Sequence, residues 1–221
     1  MNQIPFSIYD FFGYLASGAV VLAGFLAAFF GDQAFQSSPT ILVGFLLIIV
    51  IYALGQVIAN LAGDLIERRI VREGLGPPTE VLFGRRLPSK REARFFGGYF
   101  KQLSPGVRKQ VGERAGDRQG DDLFYHCHAR MKSNPAVMGR LDTFLNLYGF
   151  SRNTGLAMLI AAVCLAIGIV LGSAETGPVA GPGWWLALAL LAAIGLFYRY
   201  LKFYRHYAVE LFTSYAETET L

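Results

Sequence analysis

Four stretches of this chain contain no Asp, Glu, Lys or Arg: residues 11–31, 33–63, 153–173 and 176–198. Crossing about 30 Å of hydrocarbon takes about 20 helical residues, and inside that layer every backbone polar group must be bonded within its own segment. Each run is long enough for one helical crossing, the dense apolar part of the second starting at Ile41. The spacing predicts an all-α polytopic membrane protein with four transmembrane helices, over about 8–31, 41–63, 153–173 and 183–203, and a small helical cytosolic head. Composition agrees: 53% of the 221 residues are hydrophobic and 16% are charged, where a soluble domain carries about 25% charge. That imbalance argues against an ordinary cytosolic protein.

The cations say which side is which. All 20 lie in two places, 17 between Arg68 and Arg152 and three at Arg199, Lys202 and Arg205. The positive-inside rule makes both places cytoplasmic, and an even number of crossings brings the N-terminus to the same side as the C-terminus. A bacterial inner (cytoplasmic) membrane is the location this reading implies. The cation-free loops 32–40 and 174–183 then face outward, and Trp184 and Trp185 at one end of the fourth run, with Tyr198, Tyr200 and Tyr204 at the other, match interfacial aromatic belts. The first run is longer than a signal-peptide core and has no cation before it, so it is read as a retained helix. Cys127 and Cys164 fall in different compartments, which excludes a disulfide framework.

Between the second and third runs, residues 64–150 form a basic helical insertion. Helix two is expected to continue about two turns past the bilayer until Gly74-Leu-Gly-Pro-Pro stops it. The stretch 79–94 reads as irregular, with a short strand or turn at Val81-Leu82-Phe83. A helix is expected over 93–103, its Phe95, Phe96, Tyr99 and Phe100 forming a head core. Ser104-Pro105 is a cap with proline at the first helical position and opens a helix to about Ala115. A further helix covers 121–132, and Ser133-Asn134-Pro135 starts the last, which runs towards the third crossing as one rod with a hinge at 149–155. From the fourth crossing (151–203 holding helices three and four) into the C-terminal helix and tail at 204–221, Phe197, Leu201, Tyr204, Ala208, Leu211 and Tyr215 recur at helical spacing. This face is expected to dock on the insertion, with the last five residues frayed.

Candidate functional residues fall into three sets. Tyr52, Gln56, Asn60, Asp64 and Glu67 step by three or four along helix two, and polar groups inside a bilayer face the bundle interior or a wet path; Asp10 could complete that path. Small residues form packing faces: Gly13, Ser17, Val20, Gly24, Ala27 and Gly31 in helix one, Gly55, Ala59 and Gly63 in helix two, and Ala157, Ala161, Cys164 and Gly168 in helix three. Such faces let helices approach closely, within one protomer or between protomers of a ring. Arg68, Arg69, Arg72, Arg152, Arg199, Lys202 and Arg205 form a basic girdle suited to anionic head groups.

Other patterns carry less. His126 and His128 point about 200° apart on a helix, so His126-Cys127-His128 is not a metal site, and no cofactor is expected. Arg85, Arg86, Lys90, Arg91 and Arg94 beside Phe95, Phe96 and Tyr99 suit a single-stranded nucleic acid in principle, but positive-inside bias yields the same enrichment; nucleic acid is the weaker partner. In general build, four helices with a basic insertion and no enzyme motif, the chain resembles small bacterial membrane proteins paired with a cytosolic partner, including those of antiphage defence systems. The resemblance is one of topology. It implies a non-enzymatic, homo-oligomeric inner-membrane protein that couples a cytosolic protein partner or ligand to a membrane response, such as opening a pore. The alternatives are a constitutive ion channel or small transporter using the polar face of helix two, and a lipid-interface enzyme built on Cys127 and its flanking histidines.

Overall fold

The structure is a computed structural model that describes residues 8–31, 40–172 and 182–218. Every regular element among them is helical. We label them α1 (Ile8–Phe30), α2 (Ile41–Ala62), a π-helical continuation (Gly63–Leu75), α3 (Pro78–Leu82), α4 (Lys90–Phe96), α5 (Pro105–Ala115), α6 (Gly120–Met131), α7 (Pro135–Leu171) and α8 (Pro182–Glu217). Four of the helices are long and apolar enough to cross a membrane, which fits a membrane protein. The expected outer loops 32–40 and 174–183 fall largely outside the described residues, as do the side chain of Asp10 and the final three residues.

The chain divides into two units, Met1–Ile66 with Gly149–Arg199, and Glu67–Tyr148 with Tyr200–Leu221. In the first, helices meet at small residues. A Cβ on Gly18 would overlap the carbonyl of Ile51, and one on Gly55 would overlap the carbonyl of Tyr14. The pairings 18 with 51 and 14 with 55 run in opposite directions, so α1 and α2 are antiparallel with their backbones in contact. Gly24 lies against Ala161 and Ala28 against Gly168; these numbers rise together, so α1 and α7 are parallel. That is the relative direction two odd-numbered crossings must have. Ser17 is fully buried in this packing, its hydroxyl donating to the carbonyls of Gly13 at 3.0 Å and Tyr14 at 3.1 Å.

The second unit has its own core. Leu82, Val111, Leu123, Cys127, Met131 and Leu141 pack with Ala208, Leu211, Phe212 and Tyr215 of α8. The expected docking of the C-terminal stripe on the insertion is therefore observed. Phe212 is fully buried, its ring edge-to-face with Phe83 at 5.1 Å. The Arg114 guanidinium donates to the carbonyls of Tyr215 and Thr218, and Arg140 Nε to Glu210 Oε1 at 2.5 Å.

The helix starts read at Ser104-Pro105 and Ser133-Asn134-Pro135 hold as expected. Val107 N–H donates to Ser104 Oγ at 3.3 Å at the start of α5, and Ala136 and Val137 N–H donate to Asn134 Oδ1 at 3.1 and 3.2 Å at the start of α7. Helix α7 runs unbroken through 149–155, where a hinge was expected. The 79–94 stretch differs from its reading: Pro78–Leu82 is a short helix, not a strand or turn, because Pro77 caps and Pro78 occupies the first turn, where a missing N–H costs nothing. The 93–103 helix also differs. Its start moves back to Lys90 through a capping box between Ser89 and Glu92, and it ends at Phe96 before Gly97-Gly98. Of its aromatic residues, Tyr99 and Phe100 are buried, while Phe95 is exposed.

Candidate functional site

Between Gly63 and Leu75 the backbone bonds in the wider i to i+5 pattern, as in the bond from Gly76 N–H to the Val71 carbonyl at 2.8 Å. Helical π turns are rare and concentrate at functional sites. This one carries Glu67 and Arg72 to the edge of a cleft in the second unit with a volume of about 240 Å³. Asp121, Phe124 and Tyr125 of α6 line it, together with Tyr148 of α7 and Tyr204 and Tyr207 of α8. Arg72 Nη2 donates to both oxygens of Asp121, at 2.8 and 2.6 Å. The Tyr148 ring stands edge-on to Tyr204 at 5.2 Å and to Tyr207 at 6.0 Å, and Phe124 stacks on Tyr207 at 6.0 Å. The buried Tyr99 hydroxyl donates to the Gly76 carbonyl at 2.7 Å, anchoring the residue that follows the π segment.

The polar face of helix two is divided. Tyr52, Gln56, Asn60 and Asp64 belong to the first unit, while Glu67 lines the cleft of the second. Gln56 Nε2 donates to the Tyr52 hydroxyl at 3.0 Å within the same helix, and Asn60 is exposed. The Tyr52 ring packs against Phe11 and Tyr14 of α1 at 5.4 and 5.9 Å.

Among the small residues, Gly55 and Gly24 make backbone-close approaches, as do Ala161 and Gly168. Gly13 meets Phe150 and Gly63 meets Arg152 only at ordinary contact distance, Ala59 is half-buried, and Gly31 follows the end of α1 with φ of 55°. Gly18, the tightest point of α1, stands outside the predicted stripe. Of the basic girdle, Arg68 lies 3.6 Å from Glu73, and Arg72 is the cleft arginine. Arg205 donates to the Lys101 carbonyl at 2.8 Å, Lys202 sits over the Phe203 ring, and Arg69 and Arg199 are exposed. Arg152 donates to Asn153 Oδ1 at 3.1 Å. In the basic aromatic segment, Arg86 pairs with Glu92 at 2.7 Å and Arg85 with Glu80 at 3.6 Å.

The three residues of the His126-Cys127-His128 triplet enter three environments. His126 Nε2 is 3.2 Å from the Tyr215 hydroxyl, His128 stacks on Phe124, and Cys127 is fully buried, its thiol pushed up to about 12 by burial. No group of three or more metal-ligating side chains occurs among the described residues. Burial, and then Arg118 and Arg130 for His126 and Lys132 for His128, hold both imidazoles below the ordinary histidine range. Their folded pKa is lowered, so the unfolded chain takes up protons first. Stability is fully present above the unfolded value of about 6.5 and is lost as pH falls through the lowered folded values. We expect the thermal midpoint of the purified chain to drop between pH 7.5 and 5.0, and the drop to shrink in a His126→Gln, His128→Gln variant. A pH-independent midpoint in circular dichroism melts would contradict this.

Sequence reasoning missed the cleft, because its walls come from five separate helical segments. It also missed the buried polar patch Ser151, Asn153 and Thr154 in α7, hidden by its place at the edge of an apolar run. No protein-family model, curated protein or solved structure matches the chain.

Proposed function

We propose that this chain is a non-enzymatic, homo-oligomeric bacterial inner-membrane protein. Its Glu67–Tyr148 and Tyr200–Leu221 unit lies in the cytoplasm, receives a ligand or protein partner, and passes the event to the membrane helices. One observation carries this reading: three helical segments that bear membrane runs each supply walls of the same cleft. Glu67 and Arg72 continue from α2, Tyr148 lies on α7, and Tyr204 and Tyr207 lie on α8. An occupant of the cleft touches all three, and any difference in its contacts between two helix arrangements shifts their equilibrium by that difference in binding free energy. Concentration of all 20 cations beside the membrane runs supports a cytoplasmic placement.

The test is expression of the chain with and without its genomic neighbours, following membrane potential and the membrane recruitment of the neighbours' products, with phage infection among the inducing conditions. We expect depolarisation or recruitment in the complete system, and its loss in a Tyr204→Ala, Tyr207→Ala variant that still inserts. Unchanged potential with no recruitment under every condition would overturn the reading. Leucine at Gln56 and Asn60 separates it from a constitutive channel, since only a channel lined by that face loses flux.

A further inference from the structure

Positive charge in the second unit is gathered in one stretch of chain. Residues 81–112 hold eight cations and one carboxylate, a formal balance of +7 in a chain whose total is +4. That carboxylate, Glu92, accepts from Arg86 Nη2 at 2.7 Å and from the Ser89 N–H at 2.6 Å. Glu80, just upstream, lies 3.6 Å from Arg85. Lys90, Arg91 and Arg94 are exposed, and no carboxylate among the described residues pairs with them.

Helix α4 turns these charges to one side. At about 100° per residue, Lys90, Arg94, Arg91 and Phe95 share one arc of the helix and are exposed, while the partly buried Glu92 and Phe96 fall opposite. Phe95 is 60% exposed, and Leu87, two residues before the capping Ser89, is 62% exposed. Positive-inside bias accounts for the number of cations in such a segment. It does not account for two large apolar side chains left among them.

A lipid surface accommodates both features. Amphipathic segments rich in Lys and Arg seat their Phe and Leu side chains at the boundary between head groups and acyl chains, while the cations meet anionic lipid. Single-stranded nucleic acid asks instead for open aromatic platforms on which bases stack. Leu87 offers none, and the Phe95 ring already carries the Arg94 guanidinium 5.9 Å from its centroid.

We infer that this face of the second unit docks on an anionic phospholipid surface, with Phe95 and Leu87 entering the head-group boundary and Lys90, Arg91 and Arg94 on the lipid phosphates. A chain with four helices long and apolar enough to cross a membrane keeps a bilayer tethered to this face, so a contact that is weak between separate molecules is populated by effective concentration. The inference goes beyond the proposed function and depends on nothing in the cleft.

The experiment places p-benzoylphenylalanine at position 95 of the full chain, in nanodiscs of phosphatidylcholine alone or with about one-third phosphatidylglycerol to supply the anionic charge, and measures photoadducts by mass spectrometry. The probe keeps an aromatic ring at an exposed site, so the chain should fold. We expect lipid adducts in the anionic discs at least about fivefold above those in the neutral discs, because each cation near a charged surface contributes about that factor. Lys90→Gln, Arg91→Gln and Arg94→Gln combined should return the yield to the neutral-disc level with helical content unaltered. Raising salt from about 0.1 to 1 M should lower it as well, since the screening length falls from about 10 to 3 Å. Equal yields in the two discs, no lipid adduct in the anionic discs, or adducts to a second copy of the chain in place of lipid would each overturn the assignment. Transfer of the adduct from lipid to an equimolar single-stranded oligonucleotide would overturn it too, and would give this face to nucleic acid.

Discussion

Replacing Gly18 with alanine is expected to disrupt the contact between α1 and α2 and to cost about 1–3 kcal/mol or more, the range for forcing extra volume into a packed interface. The added Cβ would overlap the Ile51 carbonyl, a backbone atom that no rotamer change can move aside. Gly55→Ala should behave alike, because its Cβ would overlap the Tyr14 carbonyl four residues along the same antiparallel pair. Gly44 supplies the control: nothing lies within 4 Å of a Cβ placed there, and alanine is the better helix former by about 1 kcal/mol. Gly44→Ala should therefore be neutral or stabilising. Unfolding in mixed micelles, followed by circular dichroism, distinguishes these outcomes. If Gly18→Ala and Gly44→Ala shift the transition equally, the close approach of the two helices is wrong.

The second large effect is expected at Phe212, whose ring is fully buried and packs edge-to-face with Phe83 at 5.1 Å. Truncating a buried phenylalanine removes its transfer free energy and leaves a cavity, at a cost of about 3–5 kcal/mol. In Phe212→Ala the second unit should open often enough to be read at Cys127. That thiol is fully buried in the same core, and burial pushes it up to about 12. In a Cys164→Ala background, maleimide labelling of Cys127 should be slow in the otherwise native chain and at least about tenfold faster in the variant, since protection of a buried group follows the free energy of local opening. Unchanged labelling would mean that α8 does not close this core.

Both predictions bear on what could be read without coordinates. The four long apolar helices were legible because runs of about 20 residues without charge can be read directly from the sequence. The starts of α5 and α7 were legible because Ser104 and Asn134 precede proline, and a cap depends only on neighbours in sequence. The short helix after Pro77 was not, since Pro-Pro marks the end of one helix as readily as the beginning of the next. Gly18 escaped because regular three- and four-residue steps from Gly13 lead to Ser17 and Val20, and which face is used depends on the partner helix. The π turn has no compositional signature. It draws Glu67 into the cleft beside Arg72, away from the even spacing of Tyr52, Gln56 and Asn60. The cleft itself joins residues as far apart as Glu67 and Tyr207, a proximity that no local pattern encodes.

The core of the second unit has a consequence in time. Its apolar layer from Leu82 to Leu141 is closed by Ala208, Leu211, Phe212 and Tyr215, which the ribosome adds last. Phe212 follows Leu141 by 71 positions, a stretch that includes the last two long apolar runs. At about 5–20 residues per second that separation is roughly 4–14 s of synthesis. For those seconds the nascent chain presents an open apolar face while its last two long apolar helices are being made. Completion of the cleft, which also needs Tyr204 and Tyr207, thus follows synthesis of the last long apolar run, and a chain stalled before it lacks the α8 wall of the cleft.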